Sequence, residues 1–431
     1  MEIDKEKLKL LRKRKEIISK YKDIEMQWQE LEKNRELTHK EKLEKLIYEK
    51  LKEKEEKTEQ QNNLIELPSR IQVFEHIFPS DYVYGGVPLK YGLEIGGNEL
   101  YYLSQSPEFK NIDLSSSLFL DIETTGLSIG TGNIPFLIGF GFYLEDKFCI
   151  IQYFLPQPSE EEELIAALDK FFNEMDFKSI ITYNGRGFDI PILETRFILN
   201  RKSFNLNSFP HLDFLIPARI LWKEKYRSCK LSHLSRELLG VLREDDIPSH
   251  LIPHIYFNYL RTGDFSLIEK VLYHNKQDLL CLLSLTIIGG LFLKRERKTS
   301  YMDGFDLFGT GKLFERLEIL EKSMELYREA LNLEISLPLA IKIKKKLSYF
   351  YKKTRQWEKA ITLWEELAYY GEVHPLRELA IYYEHREKNF IKAKEIVEQA
   401  LSNENLNEYY KRDFEKRLIR IENKLRKIFQ K

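Results

Sequence analysis

Three apolar stretches, 118–122, 136–142 and 148–154, follow one another with only brief interruptions, and a fourth at 179–183 comes after a helical pattern. Each is the length of a strand and too short for a buried helix. A strand meander followed by strand–helix alternation can bury its apolar faces as a mixed sheet covered by helices. The segment 116–295 therefore reads as an α/β domain. Ser159-Glu-Glu-Glu162 has the form of a capping box and opens a predicted helix to about residue 173. A second helix is expected over about 188–200, and the pattern from 231 to 290 is mainly helical.

The flanks differ in kind. Residues 1–64 form a charged arm without Gly or Pro; Leu8, Leu11, Ile18, Leu43, Leu46 and Leu51 recur at helical spacing, as in an amphipathic helix or short coiled coil. Residues 65–115 turn to Gly, Pro, Tyr and Phe and read as a prelude of short strands and turns. From 305 to 431 helices are expected throughout, with Leu326-Tyr-Arg-Glu-Ala-Leu331 recurring at Leu363–Ala368 and Ile396–Leu401. Offsets of 37 and 33 residues, with alanine and aromatics in register, resemble tetratricopeptide repeats.

Composition narrows the classes. The chain carries 68 basic and 68 acidic side chains, with a surplus of acids over 61–300 and of bases at both ends. Its 43% hydrophobic content excludes global disorder, and the apolar runs fall short of the ~20 residues of a membrane span. The first 20 residues lack the apolar core of a secretory signal. Cys149, Cys229 and Cys281 are far apart, which excludes a disulfide framework or zinc cluster and fits a reducing, cytoplasmic setting with no membrane partner.

Three short elements carry chemistry. In Leu118-Phe-Leu-Asp121-Ile-Glu123-Thr-Thr-Gly126, two carboxylates two residues apart share one face at the end of an apolar strand. Such close like charges call for a compensating cation, and an all-oxygen set suits Mg²⁺ or Mn²⁺. The alternative is a solvated strand face. Thr182-Tyr-Asn184-Gly-Arg-Gly-Phe188-Asp189 places a further carboxylate where strand turns to helix, with glycines that allow a tight turn and Pro191 in the first helical turn. Its alternative is an ordinary strand-to-helix turn. In Tyr273-His274-Asn-Lys-Gln-Asp278, His274 lies about 40° from Asp278 around a helix and Tyr273 about 140°. His274 is thus the better partner for Asp278 and a candidate general base; the alternative is a surface His–Asp pair.

Together, Asp121, Glu123, Asp189 and Asp278 with His274 resemble the DEDD group of ribonuclease H-like 3′–5′ exonucleases. The resemblance covers about 160 residues. Leu231-Ser-His-Leu-Ser-Arg-Glu-Leu-Leu-Gly240 and Asp246-Ile-Pro248 bring it closest to the YprB-like family. One departure is that the proofreading subgroup has Tyr four residues before the last Asp and the other main subgroup has His five before it; here the two identities are exchanged. The resemblance implies a ribonuclease H-like mixed sheet flanked by helices and two-metal hydrolysis of a phosphodiester, with Asp121, Glu123, Asp189 and Asp278 holding two Mg²⁺ or Mn²⁺ ions and Asp121 bridging them. It also implies that Thr124, Thr125 and Leu127 contact the terminal nucleotide and Asn184 the substrate strand.

Other residues are read from their types and placement. Asp213, at the next strand's end, is either a supporting or a structural residue. Lys223, Lys225, Arg227 and Lys230, interleaved with Trp222 and Tyr226, are candidates to line a nucleic-acid groove. The run 342–346 reads as a solvated helix face, and His211 and His233 as structural. The expectation is a metal-dependent 3′–5′ exonuclease acting on DNA or RNA, whose repeats bind a protein partner or steer substrate. The rivals are an endonuclease of the same fold and a non-catalytic nucleic-acid-binding scaffold acting through its repeats.

Overall fold

A computed structural model describes residues 70–126, 130, 132–203, 205–243, 246–295, 302–403 and 406–429. The charged arm at 1–64, the first residues of the prelude and Leu127 lie outside the described residues. The chain enters the fold at β1 (Gln72–Phe78) and passes through a hairpin, β2 (Val83–Tyr84) and β3 (Val87–Pro88), to α1 (Gly97–Ser104). The hairpin turns at Gly85 and Gly86, both at positive φ. The Glu-Leu-Tyr-Tyr-Leu stretch of the prelude is helical instead of extended. Glu99 accepts the Gly96 N–H at 3.0 Å, and Leu100 and Leu103 are buried three residues apart.

β4 (Ser117–Thr124), β5 (Pro135–Leu144) and β6 (Lys147–Phe154) form the expected meander. Helix α2 (Glu161–Glu174) leads to β7 (Ser179–Thr182), and α3 (Asp189–Leu199) leads to β8 (His211–Asp213). These strands build one six-stranded sheet in the order β1-β6-β5-β4-β7-β8. β1, β6, β5 and β4 pair antiparallel, whereas β4–β7 and β7–β8 are parallel. The capping box at Ser159 does not form: Pro158 starts a 3-10 turn that takes in Ser159, and α2 begins after Glu160 without a side-chain cap.

Alternation along β4 decides what each face of the sheet does. Leu118, Leu120 and Ile122 point into a core made with α2, α3 and α6 (Ile252–Thr262). Phe119 lies in the other core, so the two carboxylates at odd positions share its face. Across that face runs α7 (Ser266–Lys294), preceded in the chain by α4 (Leu215–Trp222), α5 (Leu231–Glu237) and α6. By length and composition α7 could cross a membrane, contrary to the reading of the apolar runs. However, 83% of its most apolar window is buried inside the protein, which makes it the central core helix.

Among the described residues seven helices follow: α8 (Gly304–Arg316), α9 (Leu320–Leu331), α10 (Leu337–Lys353), α11 (Trp357–Tyr369), α12 (Val373–His385), α13 (Phe390–Leu401) and α14 (Glu408–Phe429). Each packs on the next. The three recurring segments fall on α9, α11 and α13, where Ala330, Trp364, Leu367, Val397 and Ala400 are buried. The array is continuous with the α/β part. α8 lies so close on α4 that a Cβ at Gly309 would stand 2.1 Å from the Leu221 carbonyl oxygen. Lys225 pairs with Asp303 and Asp306 at 2.8 and 2.7 Å across the same seam.

Candidate active site

Asp121 and Glu123 occupy the C-terminal half of β4, and α7 crosses above them with His274, Asn275 and Asp278. The His274 Nε2 lies 3.7 Å from Glu123 Oε1 and 3.5 Å from Asp278 Oδ2. Its Nδ1 lies 2.6 Å from Asp246 Oδ1. Tyr273 points elsewhere: it is exposed, with Lys276 over its ring. The structure therefore brings His274 and not Tyr273 to the carboxylates, as a 40° offset on a helix requires.

Asp189 arrives from the opposite side. The β7–α3 turn carries it under β4, where its Oδ1 accepts the Ile122 N–H at 3.2 Å. That turn is fixed by Asp213, whose carboxylate accepts the N–H groups of Asn184, Arg186 and Leu215 at 2.7, 3.3 and 3.1 Å. Asn184 itself is exposed with φ +68°. Gly185 is required here, because a Cβ would meet Thr182 at 2.6 Å and Asp189 Oδ2 at 2.8 Å. Asp213 is thus the anchor that delivers Asp189.

Four further residues complete the site. Asn275 Nδ2 donates to Asp121 Oδ2 at 2.7 Å and to its carbonyl oxygen at 3.1 Å, while Gln152 Nε2 donates to Asn275 Oδ1 at 2.7 Å. Gly139, the register partner of Asp121 on β5, leaves the space that the Asn275 amide fills. Arg243 donates to Asp278 and lies 3.4 Å from Asp246. Asp246 appears in the sequence only inside the motif that carries the family resemblance. Arg243, Asn275, Gln152 and Gly139 leave no sequence signal, because their roles arise from contacts between segments up to 154 residues apart.

Burial and charge crowding set the electrostatics. Burial first, then Asp278, Glu123 and Asp189, raise the Asp121 carboxyl well above the carboxylate range. Glu123 is pushed up to about 8, mainly by burial. Burial likewise brings Asp189 to about 7 against the opposing hydrogen bond from Ile122. Burial alone would lower His274, but Asp278, the Asp246 hydrogen bond and Glu123 outweigh it and raise the imidazole to about 10. The acids thus outnumber Arg243 and His274, a donor set that suits a hard divalent cation. Among the described residues, no three His, Cys, Asp or Glu side chains stand ready-made to hold an ion. Arg243 engages Asp278 and Asn275 engages Asp121, so these two carboxylates have other partners.

The remaining expected contacts divide. Thr124 Oγ1 donates to the Gly126 carbonyl at 2.6 Å, and Thr125 Oγ1 lies 3.2 Å from Asn133 Oδ1, so both hydroxyls hold the loop after β4. Lys223, Arg227 and Lys230 are exposed. Lys225 is not free for a groove, being committed to Asp303 and Asp306. Trp222 is wholly buried and cannot stack on a base, since its position ends the apolar face of α4. Tyr226 packs partly against the core. The run at 342–346 is an ion-paired helix face: Lys342, Lys344, Lys345 and Lys346 pair with Glu224, Glu366, Glu372 and Glu315.

Residues 118–288 match an RNase_H superfamily family, RNase_H_2. The chain is also 34% identical over 318 residues to the uncharacterized protein YprB of Bacillus subtilis (strain 168), covering 70% of this chain and 72% of that one. It belongs to the YprB family. The matched domain contains Asp121, Glu123, Asp189, His274 and Asp278, and membership of the RNase_H superfamily supports a nuclease-type activity for this YprB-family chain. Among solved structures it is similar to the family B DNA polymerase of the hyperthermophilic archaeon Pyrobaculum calidifontis, with 16% identity and a TM-score of 0.31. That similarity covers 47% of this chain and spans 29% of the polymerase.

Proposed function

We propose that this chain is a divalent-metal-dependent exonuclease that removes nucleotides from the 3′ ends of DNA or RNA. The observation that carries the reading is the meeting of three sequence-distant motifs: His274 of α7 lies beside Glu123 of β4 and Asp278, in a pocket that Asp189 enters from α3. Asp121, Glu123, Asp189 and Asp278 would hold the ions. Bound Mg²⁺ or Mn²⁺ supplies charge to offset that of the scissile phosphate and lowers the pKa of an attacking water.

The chain's own residues do the rest. Asp246 holds the Nδ1 side of His274 and so turns Nε2 toward the carboxylates. Asp278, the Asp246 hydrogen bond and Glu123 favour the protonated imidazole, and cations held by Glu123 and Asp278 would weaken the share of those two, so that Nε2 could better take a proton. Asn275 fixes one Asp121 oxygen and so limits how that carboxylate can turn. Arg243 restrains Asp278 and Asp246 together.

The test uses 3′-labelled and 5′-labelled single strands of DNA and RNA with Mn²⁺, Mg²⁺ or EDTA. Metal-dependent shortening from the 3′ end, lost in Asp189→Ala, is expected. Cleavage of a circular strand would instead indicate the endonuclease, and no cleavage of any substrate would overturn the catalytic reading.

A further inference from the structure

Helix α4 starts two residues after Asp213, which anchors the turn beneath the candidate site. Eight residues of α-helix carry the chain about 12 Å away. Along this path Arg219 and Lys223 are exposed, and neither has an ion-pair partner among the described residues. At its end α8 packs against α4 through Gly309, and Lys312 lies one turn further along α8.

Lys312 is an unusual cation. It is half-buried, with Nζ 5.0 Å above the Phe308 ring, and has no ion pair among the described residues. Glu224, the acid that offsets its charge, is already taken by Lys342 at 2.5 Å, and Glu315, three residues on, by Lys346 at 2.7 Å. Exposed Arg316 lies four residues on, on the same face of α8. Burial, then the crowding of Lys346, Lys342 and Arg316 against the help of Glu224, lowers the Lys312 ammonium. Six cations thus share two carboxylates along a strip that begins on the helix following Asp213. Like charges packed this way repel one another, and a polyanion is what would relieve them.

We propose that this strip, from Arg219 and Lys223 on α4 to Lys312 and Arg316 on α8, carries the phosphate backbone of a nucleic-acid strand whose end lies among the carboxylates. The proposal rests on the nuclease reading and names what that reading leaves open, the role of the first helices of the array. A phosphodiester strand fits better than an acidic protein because the strip starts on the helix that leaves Asp213, the anchor of the turn that carries Asp189. At 3.4 Å per nucleotide, the 12 Å of α4 alone spans about three to four phosphates. The array is then a substrate support at its α8 end.

The experiment measures binding of fluorescent DNA and RNA strands of about 4 and 16 nucleotides to full-length Asp189→Ala protein over a series of KCl concentrations. The longer strand is expected to bind at least tenfold more tightly. In Lys312→Gln/Arg316→Gln most of that gain should vanish, and the salt slope should fall by about two. Lys223→Gln, at an exposed position, serves as the second variant and should lower the slope by about one. A length gain and slope that persist in both variants, with native thermal midpoints, would overturn the strip while leaving cleavage by the wild-type protein, and hence the nuclease reading, intact. A wild-type protein that cuts nothing, beside variants that lose the length gain, would sink the nuclease reading and leave the strip. DNA and RNA arms that differ would identify the strand.

Discussion

A methyl group added at position 139 would stand 2.2 Å from the Asn275 side-chain oxygen, and that amide is what holds Asp121. Gly139→Ala should therefore cost about 1–3 kcal/mol in stability through overpacking. It should also cut the cleavage rate at saturating metal by roughly tenfold to a hundredfold, because a small displacement of a reacting group is expensive. Gly141→Ala is the control: its Cβ meets the Phe148 ring at 2.6 Å, so it should destabilise and leave the rate per folded molecule alone. Thermal unfolding beside single-turnover cleavage separates the two.

The same residue scale fixes a pH dependence. Glu123 and Asp189 have folded pKa values raised to about 8 and about 7, and His274 to about 10. A group with a raised folded pKa binds more protons folded than unfolded between its two values, so stability falls as pH rises through that interval. In EDTA the thermal midpoint should decline from about pH 5 to about pH 9, and Mg²⁺ or Mn²⁺ should restore it at the alkaline end. Asp189→Asn should flatten the part of the decline that lies below about pH 7. An EDTA profile that rises over this range would contradict the charge crowding described.

At the scale of elements, the β7–α3 turn depends on one buried carboxylate. Asp213→Ala removes the acceptor for three backbone N–H groups, each of which then needs another partner. The expected loss is about 1–3 kcal/mol, with faster amide exchange at Asn184 and Arg186 and a fall in activity that parallels Asp189 variants. Strands β4 to β7 and the helices carrying Asp189 and His274 were legible in the sequence because their signals are local: a period, a glycine, a spacing. The capping box at Ser159 failed because Pro158 imposed a different turn, and Lys225 and Trp222 were misread because their partners lie on α8 and in the core. Arg243 and Asn275 were invisible for the same reason, since nothing near them in the chain announces what the fold will set beside them.

At the scale of the whole molecule, the α/β part and the array share one apolar core through α4, α7 and α8. They should unfold together in a single calorimetric transition, and a chain ending before residue 302 should aggregate by exposing the surface that Leu307, Phe308 and Phe314 cover. The far end of the array has its own lock. Glu384 is buried and receives Arg417 at 2.8 Å, Arg420 at 2.5 Å and Lys424 at 2.8 Å from α14. Glu384→Ala leaves these cations without their acid and should cost about 3–5 kcal/mol, seen as early proteolytic release of α14.

Helix α7 carries His274, Asn275 and Asp278 in its first half and is buried on nearly every side in its second. One residue inserted between these halves would rotate one against the other by about 100°. Either the side chains of the candidate site would leave the strand or the core would lose its fit. Over evolutionary time, then, descent within this lineage should tolerate changes of length in the loops around α5 and α6 and in the number of helical hairpins. Between His274 and Gly290 the count of residues should stay fixed even where their identities drift.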